Sequence, residues 1–120
     1  MSVIDRNVID FSYLEDEEAI LCISDHLTWE NDVLKAHWEI LQDKLKDYMG
    51  FIQSGQFREK YPEENLKPCI KIYFSYMWPD LVDKFLNKLK IVYKEYGCDL
   101  IWIFDPHETD IEEKVENAND

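Results

Sequence analysis

One apolar stripe constrains this chain more than any other feature of its sequence. Large apolar residues recur at spacings of 4, 3, 4, 3 and 4, at Leu34, Trp38, Leu41, Leu45, Tyr48 and Ile52. This spacing keeps them on one face of an α-helix, whereas alternation in steps of two would indicate a strand. We therefore predict a helix over residues 28–54, with Thr28 as its N-cap and Gly55 at its C-terminal stop.

The segments around this helix have the patterns of strands and of one further helix. We predict strands over residues 8–14, 19–23, 69–76 and 99–105, and a second helix over residues 79–96. The short acidic connection between the first two strands makes them an antiparallel hairpin, and the last strand-helix-strand unit is a right-handed parallel crossover. The order β-β-α-β-α-β predicts an α+β two-layer sandwich, a four-stranded mixed sheet with two helices on one face.

All of these elements fall within one domain-sized stretch. We assign residues 1–105 to a single α+β domain, and residues 106–120, which are acidic and lack an apolar stripe, to a disordered C-terminal tail. No run approaches the ~18 consecutive apolar residues of a membrane span, and the first residues lack the pattern of a signal peptide. The three cysteines Cys22, Cys69 and Cys98 show no Cys-x-x-Cys spacing, which predicts free thiols and a cytoplasmic location.

Acidic residues are concentrated in two parts of the chain. Residues 1–60 carry 6 Lys and Arg against 13 Asp and Glu, residues 61–104 carry 6 against 6, and residues 105–120 carry 1 against 7. A net charge of −13 disfavours binding to nucleic acids and to anionic membranes, because both repel an acidic surface. The same charge favours a basic protein partner.

The segment that enters the long helix supports a family resemblance. Residues 21–29 read Leu-Cys-Ile-Ser-Asp-His-Leu-Thr-Trp, and the sequence Phe-Ile-Gln-Ser-Gly at 51–55 and a Tyr-Pro pair at 61–62 follow. With its Ile-Ser-Asp-His-Leu-x-Trp segment, the chain resembles a family of small uncharacterised bacterial single-domain proteins, a domain of unknown function. The resemblance covers roughly residues 8–105 and implies the fold, but it implies no catalytic residues.

Three adjacent residues in this segment raise the possibility of an enzyme. Ser24, Asp25 and His26 are the residue types of a hydrolytic triad, but neighbours on an extended strand point to opposite faces and cannot converge. A local structural role for them is the favoured interpretation. The alternative is a site built from Asp25, His26 and Glu30. Neither a metal site nor a cofactor is predicted, because the possible ligands lack the spacing of a closed site.

The sheet face opposite the helices is the main candidate surface. Side chains alternate between the two faces of a sheet, so Ile70, Ile72 and Phe74 share one face. We assign Ile101 and Ile103 to that same face, beneath the helices. This assignment leaves four side chains for the uncovered face: Tyr73, Leu100, Trp102 and Phe104. An exposed apolar surface with Trp and Tyr is typical of a protein interface.

Two questions about this surface stay open at the level of sequence. Either Phe11 with Tyr13 or Asp10 with Ser12 joins it, depending on the register of the first strand. The tail or the loop over residues 56–68 is an alternative occupant of the face.

Together these observations predict a non-enzymatic, cytoplasmic protein-binding module. Its aromatic sheet face would bind a protein partner or a second copy as a homodimer, and its acidic surface would attract a basic partner, as immunity-type inhibitors of basic nuclease toxins do. The alternative is a small hydrolase or ligand-binding enzyme that uses the region of Asp25, His26 and Glu30.

Overall fold

The computed structural model describes residues 2–106 and contains a four-stranded mixed sheet and three helices in that range. The elements are β1 (Phe11–Glu15), β2 (Glu18–Asp25), α1 (Leu34–Gln53), α2 (Gln56–Lys60), β3 (Lys67–Phe74), α3 (Asp80–Glu95) and β4 (Asp99–Phe104). The predicted fold class is therefore confirmed, with the short helix α2 added where a loop was predicted. Apart from Pro106, the predicted acidic tail lies outside the described residues.

The strands lie in the order in which they occur in the chain. β1 pairs antiparallel with β2, and β2 pairs parallel with β3, which pairs parallel with β4. The hairpin closes through a two-residue turn, with Glu15 opposite Glu18 and with Asp16 in the left-handed region at φ 55°. Asp tolerates this backbone conformation better than most residues. The predicted hairpin is confirmed, and so is the parallel pairing of the two strands that the second long helix connects.

The long helix begins later than its sequence pattern predicted. α1 starts at Leu34, and Val33 caps it without a side-chain hydrogen bond, so the prediction of Thr28 as N-cap is wrong. The carbonyl oxygen of Thr28 instead lies 2.8 Å from Nδ1 of His37, which holds the connection in an irregular conformation. The predicted stop is confirmed, because Gly55 follows the helix at φ 96°, a conformation that favours glycine.

Both long helices pack on the same side of the sheet, which we call the helix face. Its buried sheet residues are Ala19, Leu21, Ile23, Ile70, Ile72, Phe74 and Leu100. They meet a buried stripe on α1 that includes Leu41 and Leu45, and a second on α3 that includes Leu86. Burying this apolar area is the main stabilising contribution to the fold.

The chain before β1 is anchored to α1 by a buried ion pair. Lys44 of α1 is fully buried, and its ammonium group lies 2.8 Å from the carboxylate of Asp10. Lys44 also donates to the carbonyl oxygens of Asp5 and Val8, and Asp10 accepts a hydrogen bond from the backbone N–H of Ser24 at 3.0 Å. These bonds connect the first ten residues to both α1 and β2.

Candidate functional site

The strand register corrects the assignment of the sheet faces. Leu100 lies opposite Ile70 and is fully buried on the helix face, and Trp102 lies opposite Ile72 on that same side. The indole N–H of Trp102 donates to Asp83 of α3 at 3.3 Å. The assignment of Leu100 and Trp102 to the uncovered face is therefore wrong. Because β4 is apolar at almost every position, its own alternation did not reveal which side faces the helices.

Phe104 and Tyr73, the other two predicted surface residues, lie on opposite sides. Phe104 lies opposite Phe74, on the side of the helix face, and is 46 % exposed at the end of β4. Tyr73 lies on the other side of β3, as predicted, and Ile103 lies opposite it. Ile101 and Ile103 are thus on the uncovered side rather than beneath the helices.

We call this second side of the sheet the open face. It carries Phe11, Tyr13, Ile20, Cys22, Cys69, Lys71, Tyr73, Ile101 and Ile103. The register of β1 places Phe11 and Tyr13 here, since Phe11 lies opposite Cys22 and its ring centroid is 5.7 Å from that of Tyr73. Among the described residues, no helix packs on this side.

The middle of the open face is a small second core. Ile20, Cys22 and Cys69 are almost completely buried because Tyr13 and Tyr73 pack over them. Burial raises the pKa of the Cys22 thiol to about 11 and that of Cys69 to about 12. Both thiols therefore stay protonated and unreactive near neutral pH, and all three cysteines of the chain are free, as predicted.

One cation lies in the centre of the open face. The ammonium group of Lys71 is 3.5 Å from the hydroxyl of Tyr13 and 4.9 Å from the ring centroid of Tyr73. The two tyrosine hydroxyls lie 3.3 Å apart. Within the described residues, no carboxylate forms an ion pair with Lys71, and the face of Tyr73 stabilises its charge.

Acidic groups crowd one end of the open face, which we call the acidic end: Glu15, Glu18 and Asp99. A hydrogen bond with Asp99 is the main cause that raises the pKa of Glu18 to about 7, with desolvation adding to it. The same hydrogen bond and that from Lys94, at 2.9 Å, lower the pKa of Asp99. The two carboxyl groups therefore share a proton up to nearly neutral pH.

This shared proton predicts a pH-dependent stability. The pKa of Glu18 is about 7 in the folded state against an ordinary value of 4.5, so the folded state binds more protons between these two pH values. The stabilising contribution of Glu18 is complete below pH 4.5 and is lost as the pH rises through 7. At pH 8, we expect Glu18→Gln to raise the free energy of unfolding by about 1 kcal/mol, a value reduced for solvent screening.

Chemical denaturation at two pH values tests this expectation. Near pH 4.5 the variant and the wild type should unfold at the same denaturant concentration, whereas at pH 8 the variant should be more stable. Glu17→Gln is the matched control, because Glu17 is an exposed neighbour in the hairpin turn. An equal gain for both variants at pH 8 would show that general charge reduction is the cause.

The residues of the enzyme alternative do not converge. Ser24 and Asp25 end β2, where the backbone N–H of Ser24 donates to Asp10 and Asp25 is completely buried. His26 and Glu30 are exposed. Among the described residues, no hydrogen bond or ion pair links the side chains of His26 and Glu30 to Asp25. An enzymatic role for this region stays a prediction.

Asp25 pairs instead with His37, a residue that sequence reasoning did not single out. Nε2 of His37 lies 2.8 and 2.7 Å from the two carboxylate oxygens of Asp25, and both side chains are buried. The imidazole ring stacks on Trp29 with 3.4 Å between ring centroids. The sequence does contain a pattern that could have revealed this residue. His37, Leu41, Lys44 and Tyr48 are spaced 4, 3 and 4 apart, which places the two polar side chains in the same buried stripe of α1.

The hydrogen bonds of His37 engage both of its ring nitrogens and limit its chemistry. A carbonyl oxygen only accepts, so Nδ1 must carry a proton to bond Thr28. Nε2 faces the carboxylate of Asp25, and Asp25 also accepts from the backbone N–H of Leu27 at 3.1 Å. With both nitrogens engaged and the ring buried, His37 has no free nitrogen to act as a general base. Its role in this conformation is structural.

An apolar cavity lies between the two long helices. It has a volume of about 210 Å³ and is lined by Leu34, Lys35, Trp38, Pro79, Leu81, Val82 and Phe85. The rings of Trp38 and Phe85 stack across it at 5.4 Å. Tyr96, which directly follows α3, is 59 % exposed. This surface lies on the side of the sheet opposite the open face.

Residues 2–106 contain neither a metal-binding cluster nor a membrane-spanning helix. In this range, no group of three or more His, Cys, Asp or Glu side chains is arranged to hold a metal ion. No helix there is both long enough and apolar enough to cross a membrane.

Comparison with known proteins identifies a family but no activity. Residues 1–105 match the model of a family described as "Family of unknown function (DUF6572)". No curated protein and no solved structure matches the chain. The match spans all the strands and helices described above, and the predicted resemblance to a domain of unknown function is confirmed at this level. The chain therefore belongs to the DUF6572 family.

Proposed function

We propose that this protein is a bacterial, cytoplasmic, non-enzymatic protein-binding module and that the open face is its contact surface. The observation that carries the proposal is the exposure of apolar side chains there. Phe11 is 47 % exposed, Ile101 37 % and Ile103 38 %, and they surround the partly buried Tyr73. Contiguous apolar surface of this kind on a water-soluble domain is typical of an interface.

The composition of the open face supports binding to protein rather than to a polar ligand. Aromatic and β-branched side chains form most of it, and Tyr is among the residues that contribute most to protein interfaces. Tyr73 and Tyr13 are held by each other and by Lys71, so little side-chain entropy remains to be lost on binding.

The overall charge supports a second element of the proposal. Residues 1–60 carry an excess of 7 acidic groups, from 13 against 6, and this excess would steer a basic protein toward the molecule. An immunity-type inhibitor of a basic partner has this charge character. Nucleic acids and anionic membranes would be repelled.

Site-specific photo-crosslinking tests the contact surface. A photoreactive benzoylphenylalanine replaces Tyr73 on the open face or, as the matched control, the exposed Tyr96 that directly follows α3, and the protein is irradiated in a lysate of the cells that make it. We expect crosslinked protein adducts at position 73, several-fold in excess of those at position 96. Adducts at position 96 only, or at neither position, would contradict the proposal.

A further inference from the structure

The outer edge of β4 is an unprotected strand edge. β4 is the last strand of the sheet, and among the described residues no strand pairs with its outer side. Charged residues, proline and irregular backbone are the usual features that keep an edge strand from pairing with another chain. The segment from Leu100 to Phe104 contains no charged residue, no proline and no glycine. An edge of this kind favours the addition of a further strand.

The backbone hydrogen bonds of β4 show which residues present polar groups at this edge. Along a parallel strand, successive residues direct their N–H and C=O groups to alternate sides. The N–H of Asp105 donates to the carbonyl oxygen of Phe74 at 2.7 Å, so the odd-numbered residues of β4 bond to β3. The even-numbered residues therefore point outward. Of these, Leu100 is completely buried, which leaves the accessible Trp102 and Phe104 to bond a further strand.

A second copy of β4 fits this edge about a two-fold axis perpendicular to the sheet. Such an axis makes the two β4 strands antiparallel and keeps the helix faces of both copies on one side of a continuous sheet. Outward-pointing residues must lie opposite each other to exchange hydrogen bonds. Trp102 of each copy then pairs with Phe104 of the other, and Ile103 lies on the axis, opposite itself.

Neighbouring registers of the two strands are less favourable. An axis through Trp102 would place Asp99 of one copy opposite Asp105 of the other, and like charges opposite each other destabilise a strand pair. That axis, like any nearer the start of β4, would also require backbone bonds from the completely buried Leu100. The axis through Ile103 avoids both problems.

The side chains that meet in this register are complementary. On the helix face, the ring of Trp102 lies opposite that of Phe104 of the other copy, and the symmetry creates this contact twice. Aromatic pairs directly opposite each other stabilise neighbouring strands. On the open face, the two Ile103 residues meet at the axis with their Cα atoms about 4.5 Å apart. Association thus covers apolar side chains that a single chain exposes, since Phe104 is 46 % exposed and Ile103 38 %.

The charges of α3 complement each other in the same arrangement. The indole N–H of Trp102 donates to Asp83, and the ammonium group of Lys90 lies 5.8 Å from the centroid of the same ring, so this side of α3 lies toward β4. At spacings of 3, 4, 3 and 4, this side carries Asp80, Asp83, Asn87, Lys90 and Lys94. Lys84 and Glu95 lie on the neighbouring, solvent-facing side. The antiparallel helices of two copies therefore place the acidic half of one beside the basic half of the other.

We propose that two copies of this chain associate edge to edge through antiparallel β4 strands, with Ile103 on the two-fold axis, and form one eight-stranded sheet. This inference goes beyond the proposed function and does not rest on it. The open faces of both copies stay uncovered, and they lie on the same side of the joined sheet. A protein that binds the open face would meet a surface about twice as wide.

The size of the contact sets the strength of this dimer. One short strand pair and one helix contact make a smaller interface than the ~1,200–2,000 Å² of a standard stable complex. Two copies of charge −13 also repel each other, an effect that physiological salt screens. We therefore expect a dissociation constant of about 10–100 µM at ~0.15 M salt.

Sedimentation velocity from about 5 to 500 µM tests the dimer and its register. The wild type should shift from monomer to dimer over this range. Ile103→Lys and Ile103→Glu each place like charges opposite each other at the axis, so each should weaken association at least ~10-fold. An equimolar mixture of these two variants should recover association, because Lys of one copy then lies opposite Glu of the other.

Ile101→Lys is the matched control. Ile101 is 37 % exposed, against 38 % for Ile103, and lies on the same face of the same strand. In the proposed register it lies opposite Asp105 of the other copy rather than opposite itself, so Ile101→Lys should dimerise as the wild type does. Circular dichroism and thermal unfolding confirm that each variant is folded, and Ile103→Gln with Ile101→Gln replaces any lysine variant that is not.

Three results would overturn the inference. The first is a wild type that stays monomeric at about 500 µM. The second is a dimer that the substitutions at Ile103 and Ile101 weaken equally, and the third is a dimer that the mixture of Lys and Glu variants does not restore. Because Tyr73 takes no part in the edge contact, its crosslinking to another protein tests the proposed function independently.

Discussion

Replacing His37 by alanine is expected to lower the free energy of unfolding by about 3–5 kcal/mol. The change leaves the fully buried carboxylate of Asp25 without its partner, and it removes the ring that stacks on Trp29. A domain of this size has only about 5–15 kcal/mol of stability, so a large part of the total is lost. Urea denaturation monitored by tryptophan fluorescence measures the change.

Two further variants separate charge from packing. His37→Phe keeps an aromatic ring against Trp29 but still leaves Asp25 unpaired, so most of the loss should remain. The double variant Asp25→Leu with His37→Phe removes both polar partners and should recover much of the stability, because buried ion pairs are often replaceable by apolar groups. His26→Ala is the control for histidine loss, since His26 is exposed and should change stability by less than ~0.5 kcal/mol. A comparable loss in His26→Ala would contradict this account.

Replacing Lys44 by methionine is expected to cost about 3–5 kcal/mol as well, and its effect should be concentrated in the first ten residues. Methionine keeps an unbranched apolar side chain of similar length, but Asp10 loses the ammonium group that lies 2.8 Å from its carboxylate. The carbonyl oxygens of Asp5 and Val8 lose their donor at the same time. Denaturation gives the loss in free energy, and hydrogen–deuterium exchange shows where protection falls.

Exchange should accelerate first in the segment over residues 3–10. Arg6 still pairs with Asp47 there at 2.7 Å, but Arg6 is exposed and such surface pairs contribute little. Lys46→Met is the matched control, because Lys46 is an exposed lysine on the same helix. Equal exchange in both variants would show that the buried ion pair does not hold this segment.

The two buried pairs of polar side chains have a common structural role. Each connects the core to a stretch of irregular backbone: His37 and Asp25 hold the connection between β2 and α1, and Lys44 and Asp10 hold the chain that leads into β1. Irregular segments lack the regular backbone hydrogen bonds of helices and strands, so side chains must satisfy their polar groups. The polar residues within the apolar stripe of α1 therefore fix the positions of loops that apolar contacts alone would leave undetermined.

The open face illustrates how far sequence patterns extend. Parity within β3 correctly separated Tyr73 from Ile70, Ile72 and Phe74, because side chains alternate strictly along a strand. Parity within β4 gave two groups of similar apolar character, and the wrong group was assigned to the helices. Leu100 is buried and Ile101 exposed because Leu100 aligns with Ile70 across the ladder. The difference depends on a pairing between residues 30 positions apart in the chain.

Local patterning was sufficient for the four strands, the two long helices, their order and the stop at Gly55, because hydrophobic spacing and glycine conformation act over a few residues. It was also sufficient for the hairpin and for the parallel crossover, since short connections leave few alternatives. The pairing of Asp25 with His37, the burial of Lys44 and the content of the open face required the folded chain. These features arise where residues distant in sequence meet, and there the register between strands and the position of a helix on the sheet decide which groups come into contact.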